Sequence, residues 1–334
     1  MSLWGPGGEE SWVAMDDGCE VLVRKWSPSG PPCAALHICH GMGDHSARYG
    51  RFATFLTEHG FVVYAADHRS HGYTAMKAKE KNVKGHWLGH VEPSELGGKD
   101  LLQQVVADNL VLCNRESHDL PLVVLGHSMG SVLARLLAAC RPKGLAGLVL
   151  VGAPAVPVPA VNAAFGPLLG ALGQIYGDSG VAPLINKLTF EKFNSMFAPN
   201  KTDFDWINRD PAEVEKYASD SLCGFKTSVG FTKSLVNAIN AAASKDVLSK
   251  LPAELPVLVL WGTRDPVTVN DFGTQSADQM EKQMKAAGKQ LTKRIAYSGA
   301  RHEVLLELCA DEVMHDILSF IQRHVLKQLQ RSRL

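Results

Sequence analysis

The sequence predicts an α/β fold in which a mostly parallel central sheet is flanked by helices and carries an inserted helical cap. Three observations predict it. Short apolar runs alternate along the chain with amphipathic stretches, the pattern of a sheet covered on both faces. The 334 residues suffice for one large core with an insertion. The alternation also stops between about Ala153 and Gly230, where no strand-like run occurs. The expected organisation is therefore a core built from residues 1–152 and 231–334, with the cap at residues 153–230.

In chain order, strands are expected at Glu20 to Trp26, Cys33 to Cys39, Phe61 to Ala66, Leu122 to Leu125, Leu145 to Val151, Val257 to Trp261 and Leu291 to Tyr297. Most are nearly continuous apolar runs, as strands buried on both faces must be. Helices are expected near Ala47 to Glu58, Glu95 to Ser117, Met129 to Cys140 and Asp311 to Leu329. The last places Ile317, Phe320, Ile321 and Leu329 on one face, with basic residues toward its end as the helix dipole prefers. The cap opens with APAVPVPAVNAAFGPLLGALGQIYG, whose prolines argue against one long helix. Residues 144–177 carry no charge, which is unusual for a segment facing only water. Farther on, Asp210, Pro211 and Glu213 in RDPAEVEKY read as N-cap, first-turn proline and capping-box partner of a short helix. No internal repeat or low-complexity segment is evident.

Thirty-four Lys and Arg balance thirty-four Asp and Glu, so no long-range field recruits polyanions and nucleic acid is not an expected partner. The one basic run, MKAKEKNVKGH at residues 76–86, is interrupted by Glu80 and reads as a solvated loop. Seven cysteines show no CxxC spacing, and several sit inside apolar runs where a thiol behaves as a small hydrophobe. That usage favours a reducing, cytoplasmic setting. The N-terminal MSLWGPGGEESWVAM lacks the basic and apolar regions of a secretory signal, and no run is apolar for long enough to cross a bilayer. Ser332, Arg333 and Leu334, with Lys327 and Arg331 upstream, resemble a peroxisomal import address, which would be read only in a eukaryotic cell.

The chemistry is expected where PLVVLGHSMGSVLARLLAAC, residues 121–140, changes from an apolar run to helical spacing. Ser128 sits on that turn between Gly126 and Gly130, whose missing side chains allow a sharp strand-to-helix elbow that exposes the hydroxyl. The competing reading is a serine that merely caps the helix. A serine nucleophile needs a base. After His127 no histidine occurs until His302 in YSGARHEV, just beyond a strand, whereas His315 and His324 belong to the C-terminal helix. The base in turn needs an acid. Asp265 in WGTRDPV follows an apolar strand, with Asp271 as its rival. Backbone donors for an oxyanion are expected from Met129, directly after the serine, and from Met42 in HGMGDHSARY, where Gly41 and Gly43 permit close approach.

These motifs resemble the monoglyceride lipase and lysophospholipase branch of the α/β-hydrolase superfamily, the serine aminopeptidase S33 or hydrolase 4 group. The resemblance rests on HGMGDHSARY (40–49), DHRSHG (67–72), GHSMG (126–130), GTRDPV (262–267) and SGARHEVLLE (298–307), and is weakest in the cap. It implies an α/β-hydrolase fold with Ser128 as nucleophile, Asp265 and His302 completing the triad, and Met42 and Met129 as oxyanion donors. It implies a small acyl-ester substrate, no metal and no organic cofactor. Three departures bear on substrate choice. Ser70 and Ser131 stand where such proteins usually or often have Gly, and the loop from Tyr73 to Pro93 is longer.

The expected function is therefore hydrolysis of carboxylic esters, monoacylglycerol or lysophospholipid first, through an acyl-enzyme. The apolar start of the cap suggests an acyl tunnel and peripheral contact with a membrane or micelle. Alternatives are an esterase, amidase or peptidase acting on small soluble substrates, and a non-catalytic ligand-binding protein on the same fold. A metalloenzyme using His37, His40 and His45, or His86 and His90, is disfavoured because neither set presents a rigid ligand face.

Overall fold

The computed structural model describes residues 4–82, 87–91, 99–116, 119–156, 159–269 and 273–327. Eight strands form one sheet: β1 (Glu9–Ala14), β2 (Glu20–Trp26), β3 (Ala34–Cys39), β4 (Phe61–Ala66), β5 (Leu122–His127), β6 (Leu145–Val151), β7 (Val257–Gly262) and β8 (Lys293–Tyr297). Their spatial order is β1-β2-β4-β3-β5-β6-β7-β8. The β1–β2 and β2–β4 pairs are antiparallel, and all others parallel. After β3 the chain first adds β4 on one side and later β5 on the other. The carboxyl ends of β3 and β5 therefore flank a topological switch point, where open α/β sheets gather ligands.

Every residue of β3 to β7 except the first two of β6 is buried, yet the strands still alternate. Leu36, Ile38, Val123, Leu125, Val149, Val151, Leu258 and Leu260 enter one core, and Ala35, Cys39, Leu122, Val124, Leu148, Leu150, Val257 and Val259 the other. This is the two-residue period of a strand read out in two apolar layers. Helices α1 (Gly50–Glu58) and α12 (Ala310–Phe320) cover the first face. Helices α3 (Leu101–Glu116), α4 (Met129–Ala139), α9 (Val229–Ala243), α10 (Lys245–Ser249) and α11 (Ser276–Ala286) cover the second. Helix α2 (Gly72–Glu80) lies beside β2.

The chain leaves the sheet after β6 and returns at β7. Between them lie α5 (Pro159–Tyr176), α6 (Pro183–Asn186), α7 (Lys192–Ser195) and α8 (Pro211–Ser219), followed by α9 and α10. The first four form the inserted helical region, whereas α9 and α10 pack on the sheet layer. The opening of the inserted region differs from expectation, because α5 runs eighteen residues straight through Pro167. One interior proline removes one helical hydrogen bond and costs about 3 kcal/mol. Burial of Leu169 and Leu172 against Ala182, Ile185 and Val229 offsets that cost. The α8 cap also differs in detail. Asp210 accepts from Ala212 N at 2.9 Å, but its own N–H goes to Asn208 Oδ1, and Glu213 pairs with Lys216 instead of closing a capping box.

Strand β1 has no counterpart among the expected elements. EESWVA buries only Val13, so it lacks the apolar pattern and is held as an edge by backbone pairing to β2. The segment expected to be helical from Ala47 begins as a tight 3-10 turn, Ser46–Tyr49, before α1. Asp271, His86 and the terminal Ser332–Leu334 lie outside the described residues.

Candidate active site

Ser128 joins β5 to α4 with φ 53° and ψ −121°, a conformation costly for a residue bearing a side chain. The surrounding packing over-determines it. A Cβ on Gly126 would stand 2.1 Å from Gly130 O, and one on Gly130 would stand 1.9 Å from Cys39 O. Only glycines let the elbow press onto the end of β3. Ser128 N donates to Val151 O at 2.9 Å, tying the turn to β6. The Ser128 side chain makes no capping hydrogen bond to α4, so the helix-cap reading fails, and among the described residues no hydrogen bond occupies the hydroxyl. Ser131 donates its hydroxyl to Ser128 O at 2.7 Å and adds a second brace.

Asp265 and His302 come from the neighbouring strand ends. Asp265 starts a 3-10 turn after β7, where Oδ1 accepts from Val267 N at 2.9 Å and Oδ2 meets His302 Nδ1 at 2.8 Å. Both side chains are buried. Burial opposes protonation of His302, but the Asp265 charge and hydrogen bond outweigh it, with Glu303 and Asp44 adding, so its pKa is raised. With Nδ1 bonded to the carboxylate, Nε2 is the ring nitrogen left for other contacts. The Trp206 indole covers the imidazole, with ring centroids 5.1 Å apart. Among the described residues no hydrogen bond joins Ser128 Oγ to His302. Such contacts commonly tighten only with substrate.

The loop after β3 lies against the serine. A Cβ on Gly41 would sit 3.3 Å from Ser128 Cβ and 3.2 Å from His127 Nδ1, so this backbone is as close as glycine allows. Gly43 has φ +66°. Its carbonyl accepts from Tyr217 Oη at 2.8 Å and from Gly224 N at 3.0 Å, which ties the loop to the inserted region. Among the described residues nothing occupies the Met42 N–H, and the Met129 N–H is an unpaired donor of the first turn of α4. Of these two backbone donors, Met129 directly follows Ser128 and Met42 directly follows Gly41, which approaches the serine.

The other histidines serve the scaffold. His40 accepts from His68 N at 3.0 Å through Nε2, its Nδ1 contacts Gly41 O at 2.8 Å, and His37 Nε2 meets Asn109 Oδ1 at 2.6 Å. Burial depresses the pKa of all three, and of His71 to about 3. His37, His40 and His45 therefore do not converge on a common point as ligands. The one compact donor trio among the described residues is His45, Asp220 and Cys223. There His45 Nε2 and Asp220 Oδ2 are already bonded to each other at 3.0 Å. In DHRSHG, Ser70 adopts φ 63°, the left-handed region that favours glycine. Its hydroxyl donates to His90 O at 2.9 Å.

Three residues that motif reading passed over border the site. His127 is buried beside His302, with its pKa lowered to about 4 chiefly by desolvation. Arg48 and Glu303 form a buried ion pair. Each lies inside a quoted motif, but only the three-dimensional contact gives it meaning.

With this geometry in view, comparison with known proteins is specific. The family described as serine aminopeptidase, S33 (Hydrolase_4) matches residues 30–309. Human monoglyceride lipase is 29% identical over 310 residues, covering 92% of this chain and 88% of its own. The monoacylglycerol lipase of Mycolicibacterium smegmatis is 26% identical over 321 residues, covering 92% and 95%. Among solved structures, a thermostable carboxyl esterase from Bacillus coagulans superimposes with a TM-score of 0.79 at 27% identity, covering 95% of this chain and 98% of that one.

Proposed function

The chain belongs to the serine aminopeptidase S33 family of α/β hydrolases, and from that premise we propose that it hydrolyses carboxylic esters of one-chain lipids, monoacylglycerol or lysophospholipid, through an acyl-serine intermediate. In this reading Ser128 is the nucleophile, His302 the base, Asp265 its orienting acid, and the N–H groups of Met42 and Met129 bind the oxyanion. The observation that carries it is the free hydroxyl of the strained Ser128 turn on the same sheet edge as the bonded, buried His302–Asp265 pair.

His302 Nε2 takes the Ser128 proton as Oγ attacks the ester carbonyl, and the imidazolium is stabilised by Asp265. The carbonyl electrons move onto oxygen, opposite the two N–H groups. Collapse of the tetrahedral species expels the alcohol, which takes the proton from His302. Water, deprotonated by the same nitrogen, then releases the fatty acid. The relatives named as monoglyceride lipases support the lipid substrate. So does the apolar cluster of Phe165, Leu168, Leu169, Leu172, Ile185 and Val229 within the inserted region. Ile175, Leu184, Leu188 and Met196 on its outer surface are exposed, which supports withdrawal of substrate from a micelle or membrane.

A short-ester specificity is the second reading, favoured by the likeness to the Bacillus coagulans carboxyl esterase. Labelling with a fluorophosphonate probe, competed by monoacylglycerols, lysophospholipids and short esters, ranks the two. Ser128→Ala should lose labelling and lower kcat by about 10⁶-fold. A variant that keeps most esterase activity would overturn the assignment.

A further inference from the structure

Arg48 is a guanidinium sealed from water among carboxylates and aromatic faces. Nη1 and Nη2 donate to Glu303 Oε1 and Oε2 at 2.7 and 2.8 Å, a bidentate pair, and Nη1 also donates to Asp44 Oδ1 at 3.1 Å. The rings of Trp4 and Tyr217 lie 4.5 and 4.7 Å from its Cζ. Asp44 in turn accepts from Gly41 N at 3.3 Å, His45 N at 2.7 Å and Tyr49 Oη at 2.8 Å, so it shapes the loop that carries Met42. Glu303 directly follows His302, and its own N–H donates to Ile207 O of the inserted region at 2.9 Å. The cavity these groups line with His127 and Leu305 is about 20 Å³, room for a single water, so the charges are locked in place.

A buried ion pair is weak grounds for stability, because desolvation cancels most of its attraction. Its geometric effect is clearer: two rigid forks join the loop after β3 to the loop bearing the base. We infer that Glu303, acting through Arg48 and Asp44, is a positioning residue that sets the separation between the His302 imidazole and the Met42 oxyanion donor. The inference rests on the proposed esterase function, and deepens it by assigning the residue after the base. Its carboxylate acts through the guanidinium and does not touch substrate.

Glu303→Gln in the full-length protein, assayed on a water-soluble ester, should lower kcat roughly 10- to 100-fold with KM within about threefold, as expected for misplacement by a fraction of an ångström. The ionisable groups facing His302 are Asp265, Glu303, Asp44 and His127. Glu303 favours the imidazolium, so neutralising it should also move the acid limb of kcat/KM to lower pH. Asp44→Asn/Arg48→Met/Glu303→Leu separates position from stability, since it removes all three charges of the buried cluster together and apolar or neutral replacement of such a cluster is often tolerated. It should melt near the parent temperature yet keep the kcat defect. A triple variant with the parent kcat and pH profile would overturn the inference, as would a Glu303→Gln protein unchanged in both. Failure of the esterase reading is distinguishable, because it appears as absent ester turnover in the parent protein or as turnover that survives Ser128→Ala, whatever Glu303 does.

Discussion

The carboxyl edge of the sheet and the inserted helices above it bury apolar surface in opposite ways. At the edge, Cys39, Gly126 and Gly130 press backbone against backbone until a single added Cβ would clash. Above it, the helices form small separate clusters and leave Ile175, Leu188 and Met196 in solvent. The two layers are joined by polar contacts, among them Tyr217 Oη to Gly43 O, Asn208 Nδ2 to Leu306 O at 3.0 Å and the Arg209–Glu307 pair, and by a small apolar cluster in which Trp206 and Ile207 meet Val267 and Leu306. The difference teaches a division of labour. A tightly packed edge holds its side chains to a narrow tolerance, whereas a layer built of small separate clusters can vary more freely.

If that division holds, damage at the edge should cost far more than damage above it. Asp265→Asn removes the acceptor that fixes the His302 tautomer and should lower kcat at neutral pH by about 10⁴-fold with little change in KM. A loss below tenfold would show that the pair does not orient the base. The pH profile comes next in size. Because Asp265 raises the pKa of His302 above its ordinary 6.5, the neutral base is lost as pH falls through that raised value. The kcat/KM should then drop about tenfold per pH unit on the acid side, and in Asp265→Asn the limb should move to lower pH. A flat profile from pH 5 to 8 would break the assignment of His302.

Much of the edge was legible in the sequence and little of the upper layer was. Strands β3 to β7 announce themselves as short apolar runs because both of their faces are buried. Ser128 and Asp265 each sit where such a run ends, and His302 lies five residues beyond β8, a strand without that pattern. By contrast, β1 is an edge that buries a single side chain and is held by backbone pairing and the Arg24–Glu10 ion pair, and α5 crosses Pro167 because distant residues pack against it. Neither leaves a local pattern. The Arg48–Glu303 pair joins positions 255 residues apart, so only folding reveals that two unremarked charges in two motifs belong together.

Smaller effects sharpen the comparison at the seam. Tyr217→Phe deletes one hydrogen bond to Gly43 O, worth about 1 kcal/mol. It should reduce kcat on a soluble ester by less than about tenfold, because Gly224 N still holds the same carbonyl. A thousandfold loss would mean the upper layer builds the oxyanion loop instead of merely steadying it. Smallest of all, Leu188→Asp on the exposed surface should leave turnover of a soluble ester unchanged while slowing hydrolysis of micellar monoacylglycerol. Equal slowing of both substrates would argue against any role in drawing lipid from an aggregate.

The central claim is that the hydroxyl of residue 128 is the attacking group. Intact-mass and peptide mapping after reaction with a phosphonate ester tests it most directly. The account predicts one adduct per chain, on the peptide containing GHSMG, abolished in Ser128→Ala and slowed in Asp265→Asn. An adduct on another residue, or equal labelling of Ser128→Ala, would contradict it.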